Sequence, residues 1–240
     1  MSRRPDGFAE AVALFTARFT PVPNDDDESR LRSRIVEATL EIAAAEGVKG
    51  ASLRRIAART GMRTASLYSY FPGGKDELVS DALAEHLRSF YRTMAVALRA
   101  DESPAENLRR LVFAHTRWTL ENPIIAPAIL VLERAHALHS IMTDDADNAI
   151  RELHDTYRDL LVRLLRATAA QPRDAGRLAA QLIVLCDNAD LWSTPEKIGE
   201  AQEDAWLTVR QMLGRTAAIG RPRGGRGTAR RRKASSRVRV

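Results

Sequence analysis

The stretch SLRRIAARTGMRTASLYSYFPGGKDEL, residues 52–78, decides the fold. Ser52 precedes a short run, Leu53 to Thr60, whose apolar side is Leu53, Ile56 and Ala57, and Gly61 ends it. Such spacing predicts a helix with a capping residue at its start and a left-handed glycine at its end. After Met62 a second short helix is predicted from Arg63 to Phe71, with Leu67 and Phe71 four apart on one side. Pro72-Gly73-Gly74 breaks the chain, and a charged run opens on Lys75. A cation there faces the positive end of the helix dipole, a disadvantage of roughly a few tenths of a kcal/mol. That placement points to an anion outside the helix.

Working outward, the segment Arg30 to Glu46 carries Ile35, Thr39, Ile42 and Ala43 at helical spacing, and Gly47 supplies a stop. A longer helix followed by two short ones joined at a glycine makes a helix-turn-helix. Upstream, residues 7–20 place Phe8, Val12, Phe15 and Phe19 on one face of a short amphipathic helix. The acidic PVPNDDDES that follows reads as a linker with Ser29 as the next cap. Downstream, helices are predicted from Asp76 to Arg99, from Ser103 with Pro104 and Glu106 forming a capping box, and from Ile124 to Leu138. Three more follow: Asp145 to Ala170, Asp174 to Leu191, and Pro195 to Leu213 capped by Thr194. No stretch alternates convincingly enough for a strand.

Charge is unevenly spread along the 240 residues, whose net charge is +6. Residues 29–76 hold nine basic and four acidic side chains, whereas residues 77–219 hold 16 basic against 21 acidic. The last 21 residues contain nine Arg or Lys, no acid and little to bury, so disorder is expected there. Basic segments flanking an acidic body suit contact with a phosphate backbone. Cys186 is the only cysteine, which excludes an intrachain disulfide and argues against a cysteine-based zinc site; its apolar neighbours favour a buried thiol. No apolar run approaches a bilayer span and no signal peptide is apparent, so a cytoplasmic location with no membrane partner is expected. His136, His139 and His154 do not form a recurring ligand pair, and no metal or cofactor is implied. Nucleophile elbow, Walker loop, dinucleotide fingerprint and zinc-protease helix are all missing, which speaks against an enzyme.

Ile56-Ala57, Gly61, Leu67-Tyr68, Phe71 and Lys75, in this order, resemble the DNA-binding signature of the tetracycline-repressor (TetR) family. The resemblance covers roughly residues 30–85 and implies an all-α fold. An N-terminal three-helix helix-turn-helix domain, residues 29–74, would be followed by a helical effector-binding and dimerisation domain, residues 75–216. Residues 1–28 form an N-terminal extension and residues 217–240 a basic tail. The third helix would lie in the major groove, with Tyr68 and Lys75 on phosphates and Arg63, Thr64, Ala65 and Ser66 near bases. Ser52 can add a phosphate contact, and Gly73 and Gly74 can bring backbone N–H groups to the same strand. Arg63 stands where such proteins often carry Ser, so the cap falls on it or on Thr64. Tyr70 joins this set as a candidate, with packing as its alternative.

For the body, the resemblance implies an effector pocket and a homodimer. Phe113, Trp118, Ile129, Leu132, His136 and Tyr157 combine apolar bulk with a few polar tips, as pockets do. Leu178, Leu182, Leu185, Trp206, Val209 and Met212 stripe the last two helices and need a partner surface, either a second copy or the chain's own core. The implied function is a one-component regulator, a repressor released from double-stranded operator DNA by a small apolar, aromatic or acyl ligand. The alternative is a ligand-independent architectural, nucleoid-type DNA-binding protein.

Overall fold

A computed structural model describes residues 7–20, 27–123, 126, 144–168 and 174–219, and these are helical with short connections. The helices are α1 (Phe8–Phe19), α2 (Asp27–Gly50), α3 (Leu53–Thr60), α4 (Thr64–Tyr70), α5 (Lys75–Ala97), α6 (Pro104–Glu121), α7 (Asp144–Ala167), α8 (Ala175–Asp187) and α9 (Ile198–Ile219). Short 3₁₀ turns at Ala189–Leu191 and Pro195–Lys197 connect the last two. The expected helix between Ile124 and Leu138 falls outside the described residues apart from Ala126, as do residues 220–240.

Several boundaries differ from expectation for local reasons. Helix α2 begins at Asp27, so Ser29 lies inside it; acids in a first turn are favoured by the dipole. Gly47 (φ 75°) interrupts α2 where the stop was expected, and the chain resumes helical hydrogen bonding to Gly50. Helix α8 ends at Asp187, earlier than expected, with Asp174 accepting from the Arg177 N–H at 2.9 Å as its cap. Helix α9 runs on to Ile219, into the first residues assigned to the tail. The Ser103 cap is as expected: its hydroxyl oxygen accepts from the Glu106 N–H at 3.2 Å, although the Glu106 carboxylate turns to Arg109.

Helices α2, α3 and α4 form the head. Ile35, Ile56, Leu67 and Phe71 are fully buried at its centre. Gly61 (φ 72°) closes α3: its N–H donates to Ala58 O and the Met62 N–H to Ala57 O at 2.8 Å, the paired bonds of a Schellman turn. Arg32 of α2 fastens the head to α5. Its guanidinium donates to the Asp81 carboxylate and to the Tyr70 carbonyl, and lies 4.6 Å from the Phe71 ring centroid.

The body packs α5, α6, α7 and α8 around one another, with α9 against α6. The N-terminal extension is not a separate piece. Helix α1 packs on α5 and α7, burying Val12, Phe15 and Phe19, while Arg18 pairs with Glu152 at 2.9 Å. Phe15 stands 6.4 Å from Tyr91 and 6.1 Å from Tyr157 between ring centroids. The described helices therefore run from α1 in the body to the head and back through α5.

Candidate nucleic-acid interface and effector cavity

Helix α4 owes its orientation to one side chain. Leu67 is its buried residue, and it pins the helix while Thr64, Ala65, Ser66, Tyr68 and Ser69 remain exposed. Arg63 occupies the N-cap position with extended backbone (φ −82°, ψ 142°) and an exposed side chain, so the cap does not move to Thr64. Tyr68 is 50% exposed, available to an external partner. Tyr70 instead packs partly against the core, in keeping with its alternative reading. Ser52 starts α3 with extended backbone and makes no side-chain cap bond, which leaves capping to the backbone and corrects the expected hydroxyl cap.

The cations around this face are sorted by their partners. Arg55 is paired with Glu46, and Arg59 with Glu41 at 2.6 Å, which neutralises the side of α3 turned toward α2. Arg54 and Arg63 are exposed without an ion pair among the described residues. Lys75 is the first residue of α5, behind Gly74 (φ 73°, ψ −138°), a conformation that favours glycine. Gly73 and Gly74 do not present open amides: the Gly73 N–H donates to Glu77 Oε2 and the Gly74 N–H to Phe71 O at 2.9 Å. A phosphate reaching that turn meets Glu77 first, so the expected backbone contact requires this carboxylate to move.

Inside the body, a cavity of about 190 Å³ opens between α5, α6, α7 and α8. Trp118 and Tyr157 line it as expected from the sequence. Phe113 does not: it lies under the Arg109 guanidinium, 4.7 Å away, and its carbonyl accepts from Gln202 of α9. Ile129, Leu132 and His136 lie outside the described residues. Sequence reasoning missed the wall that α5 supplies, His86, Phe90 and Tyr91, along with His115 of α6. The signal was available, because His86 and His115 are polar interruptions in otherwise apolar helical stripes.

Most of the cavity's polar side chains are paired with one another, Arg158 with Asp155 at 3.0 Å among them. His115 Nε2 donates to Asp187 Oδ1 at 2.7 Å, so with a neutral ring Nδ1 accepts from the Tyr157 hydroxyl at 3.3 Å. Burial pushes the Tyr157 phenol well up, which keeps that proton in place. The Tyr91 hydroxyl meets His154 Nδ1 at 2.8 Å. His86 is different: its ring lies 4.7 Å from Trp118 and its buried Nε2 has no hydrogen-bond partner. Burial holds its pKa down at about 4, so it is neutral at pH 7. Burial likewise pushes the Cys186 thiol up to about 12, as befits a structural thiol.

On the last two helices, Leu178, Leu182 and Val209 are buried within the chain, while Leu185, Trp206 and Met212 are half-buried against the same core. Leu178, Leu182 and Val209 thus cover the protomer's own interior, while Leu185, Trp206 and Met212 remain partly accessible at its surface. The large apolar side chains exposed at this end are Val184, Leu191, Trp192 and Leu207.

A glycine-closed pair of short helices with an exposed second helix defines the class: a helix-turn-helix head, here carried on a helical body that encloses a cavity. Residues 35–82 match the family described as bacterial regulatory proteins, tetR family. The match takes in the head and the first turns of α5, and the body lies outside it. It is 56% identical over 103 residues to the HTH-type transcriptional repressor DrrR1 of Streptomyces coeruleorubidus, covering 43% of this chain and 32% of that one. It is 28% identical over 128 residues to the HTH-type transcriptional repressor KstR of Mycobacterium tuberculosis, covering 53% of this chain and 58% of the relative. These matches thus span between about a third and just under three-fifths of the curated relatives. The fold resembles a tetR-family regulatory protein from Rhodococcus RHA1 (TM-score 0.64, 20% identity, 78% and 96% of the two chains). It also resembles a putative transcriptional regulator from Pseudomonas aeruginosa PAO1 (TM-score 0.60, 25% identity, 83% and 98%). Among the described residues no helix is long and apolar enough to cross a membrane.

Proposed function

We propose that the chain is a one-component transcriptional repressor that binds operator DNA as a homodimer and is released by a small apolar, aromatic or acyl ligand. The observation that carries this reading is the double duty of α5. Its first residue, Lys75, follows directly on Gly74, which lies against the exposed Tyr68 ring of α4, and its middle, His86 to Tyr91, forms a wall of the cavity. From Lys75 to Phe90 the helix spans about 22 Å at 1.5 Å per residue. A ligand that displaces Phe90 or Tyr91 therefore acts on a rigid rod whose far end is clamped to the head through Arg32 and Asp81. In a dimer the two α4 helices must sit about 34 Å apart, one turn of DNA, so a small pivot of each rod spoils the match.

In this reading Thr64, Ala65 and Ser66 face base edges with Arg63, while Tyr68, Lys75 and Ser52 hold phosphates. The second copy covers the α8–α9 end through Val184 and Leu207. A purely architectural role would leave the cavity without a task, and the relatives named as repressors support that output. The test is reciprocity. Ligand and operator should each weaken the other by the same factor, with a coupling of ~1–3 kcal/mol. Calorimetric titration of the ligand with and without operator measures this, and equal affinities in the two titrations reject the mechanism.

A further inference from the structure

We infer that the cavity selects a small neutral aromatic of one or two rings carrying a hydroxyl group, which pairs with His86 Nε2. This deepens the proposed function and rests on its reading of the cavity as an effector site.

Size sets the first limit. The cavity measures about 190 Å³, and an apolar cavity of about 150 Å³ accepts benzene. The space suits one ring or two fused rings. Wall chemistry sets the second. Phe90 lies 4.9 Å from Trp118 and 5.7 Å from Tyr157, both edge to face, so the lining offers ring faces and edges at the separations aromatic pairs prefer.

The polar groups set the third limit. The hydroxyls of Tyr157 and Tyr91 and both nitrogens of His115 are already engaged within the wall. His86 is 8% exposed, lines the same cavity, and keeps a buried nitrogen with no partner, where nearly all buried polar atoms have one. The ring is neutral, so it offers no charge to an anion; Arg158 on the lining is paired with Asp155 at 3.0 Å, and Asp187 adds a further acid, so the lining as a whole does not attract a carboxylate. A hydroxyl both donates and accepts, so it satisfies Nε2 in either tautomer; a carbonyl serves only one of them.

Calorimetry on the full chain decides the matter with four probes: 2-naphthol, naphthalene, 2-naphthoate and 1-naphthylmethylammonium. The expected result is 2-naphthol binding about tenfold tighter than naphthalene, the worth of one net hydrogen bond. His86→Phe should erase that gap while still binding naphthalene, and His86→Gln, which keeps a polar tip, should restore part of it. Equal binding of naphthol and naphthalene by the unmodified chain overturns the assignment, as does a gap that survives in His86→Phe or a preference for either charged probe. Operator affinity, measured on the same samples with a fragment selected from a random library, separates this inference from the broader one. Naphthol selectivity without any loss of operator affinity rejects the regulatory reading and keeps the ligand class. Release by other compounds without naphthol selectivity does the reverse.

Discussion

Replacing Phe15 with Ala tests whether α1 belongs to the body. Phe15 is 2% exposed and its ring lies 4.7 Å from Phe19, with Tyr91 and Tyr157 beyond it. Removing a buried Phe costs about 3–5 kcal/mol, the transfer term plus the void it leaves. Because α1 is a single peripheral helix that can settle inward, the lower end, ~3 kcal/mol, is expected. With a urea m-value near ~3 kcal/mol per M for a chain of this size, the unfolding midpoint should fall by ~1 M. Leu14, the adjacent residue, is 65% exposed, and Leu14→Ala should stay within about 0.5 kcal/mol, a shift under ~0.2 M. Urea unfolding followed by circular dichroism on both variants gives the comparison. Midpoints lowered equally, or unmoved in both, would refute the packing of α1 as part of the core.

Tyr68→Phe should weaken binding across all DNA sequences if its hydroxyl holds a phosphate, whereas changing Thr64 should alter preference at one base position; binding to an operator library separates the two, and no change in either variant removes α4 from the interface. His86 predicts an acid sensitivity. Its pKa falls from 6.5 in the unfolded chain to about 4 when folded, so below pH 6.5 the unfolded state takes up a proton that the native state refuses. Stability is then lost as pH drops from about 6.5 to about 4, by up to ~3 kcal/mol, and flattens below. The loss between pH 7 and 4.5 should be smaller in His86→Phe; identical losses in the two proteins would contradict it.

The head was legible in the sequence because its determinants are local. Ile56, Gly61, Leu67 and Phe71 lie within 16 residues of one another, and glycine conformation and helical spacing fix their roles without reference to the rest of the chain. The cavity was legible only in part. Trp118 and Tyr157 announce themselves by bulk, but the wall on α5 depends on which face of that helix meets α6 and α7, a choice made by partners such as His115 and Tyr157, far from Phe90 in sequence. The stripe of Leu178, Leu182 and Val209 shows the same limit from the other side: periodicity identifies a face that must be covered, and tertiary packing alone says by what. The pairing of Arg55 and Arg59 with Glu46 and Glu41 could not be read from charge counts, because it depends on the crossing of α2 and α3.

Helix α1 also imposes an order on the birth of the molecule. Its partners are Tyr91 on α5 and, beyond residue 144, Tyr157 on α7, so more than 120 residues must leave the ribosome before Phe15 has both neighbours. At about 5–20 residues per second that wait lasts on the order of ten seconds. The head, whose own contacts are short-range, can assemble during this interval while α1 has only its α5 neighbour to cover it. Final docking of α1 then acts as a clasp, closing a domain already made. A bulky fusion at the N-terminus would burden that last step first, and its cost would appear as slow maturation of the body while the head folds on schedule.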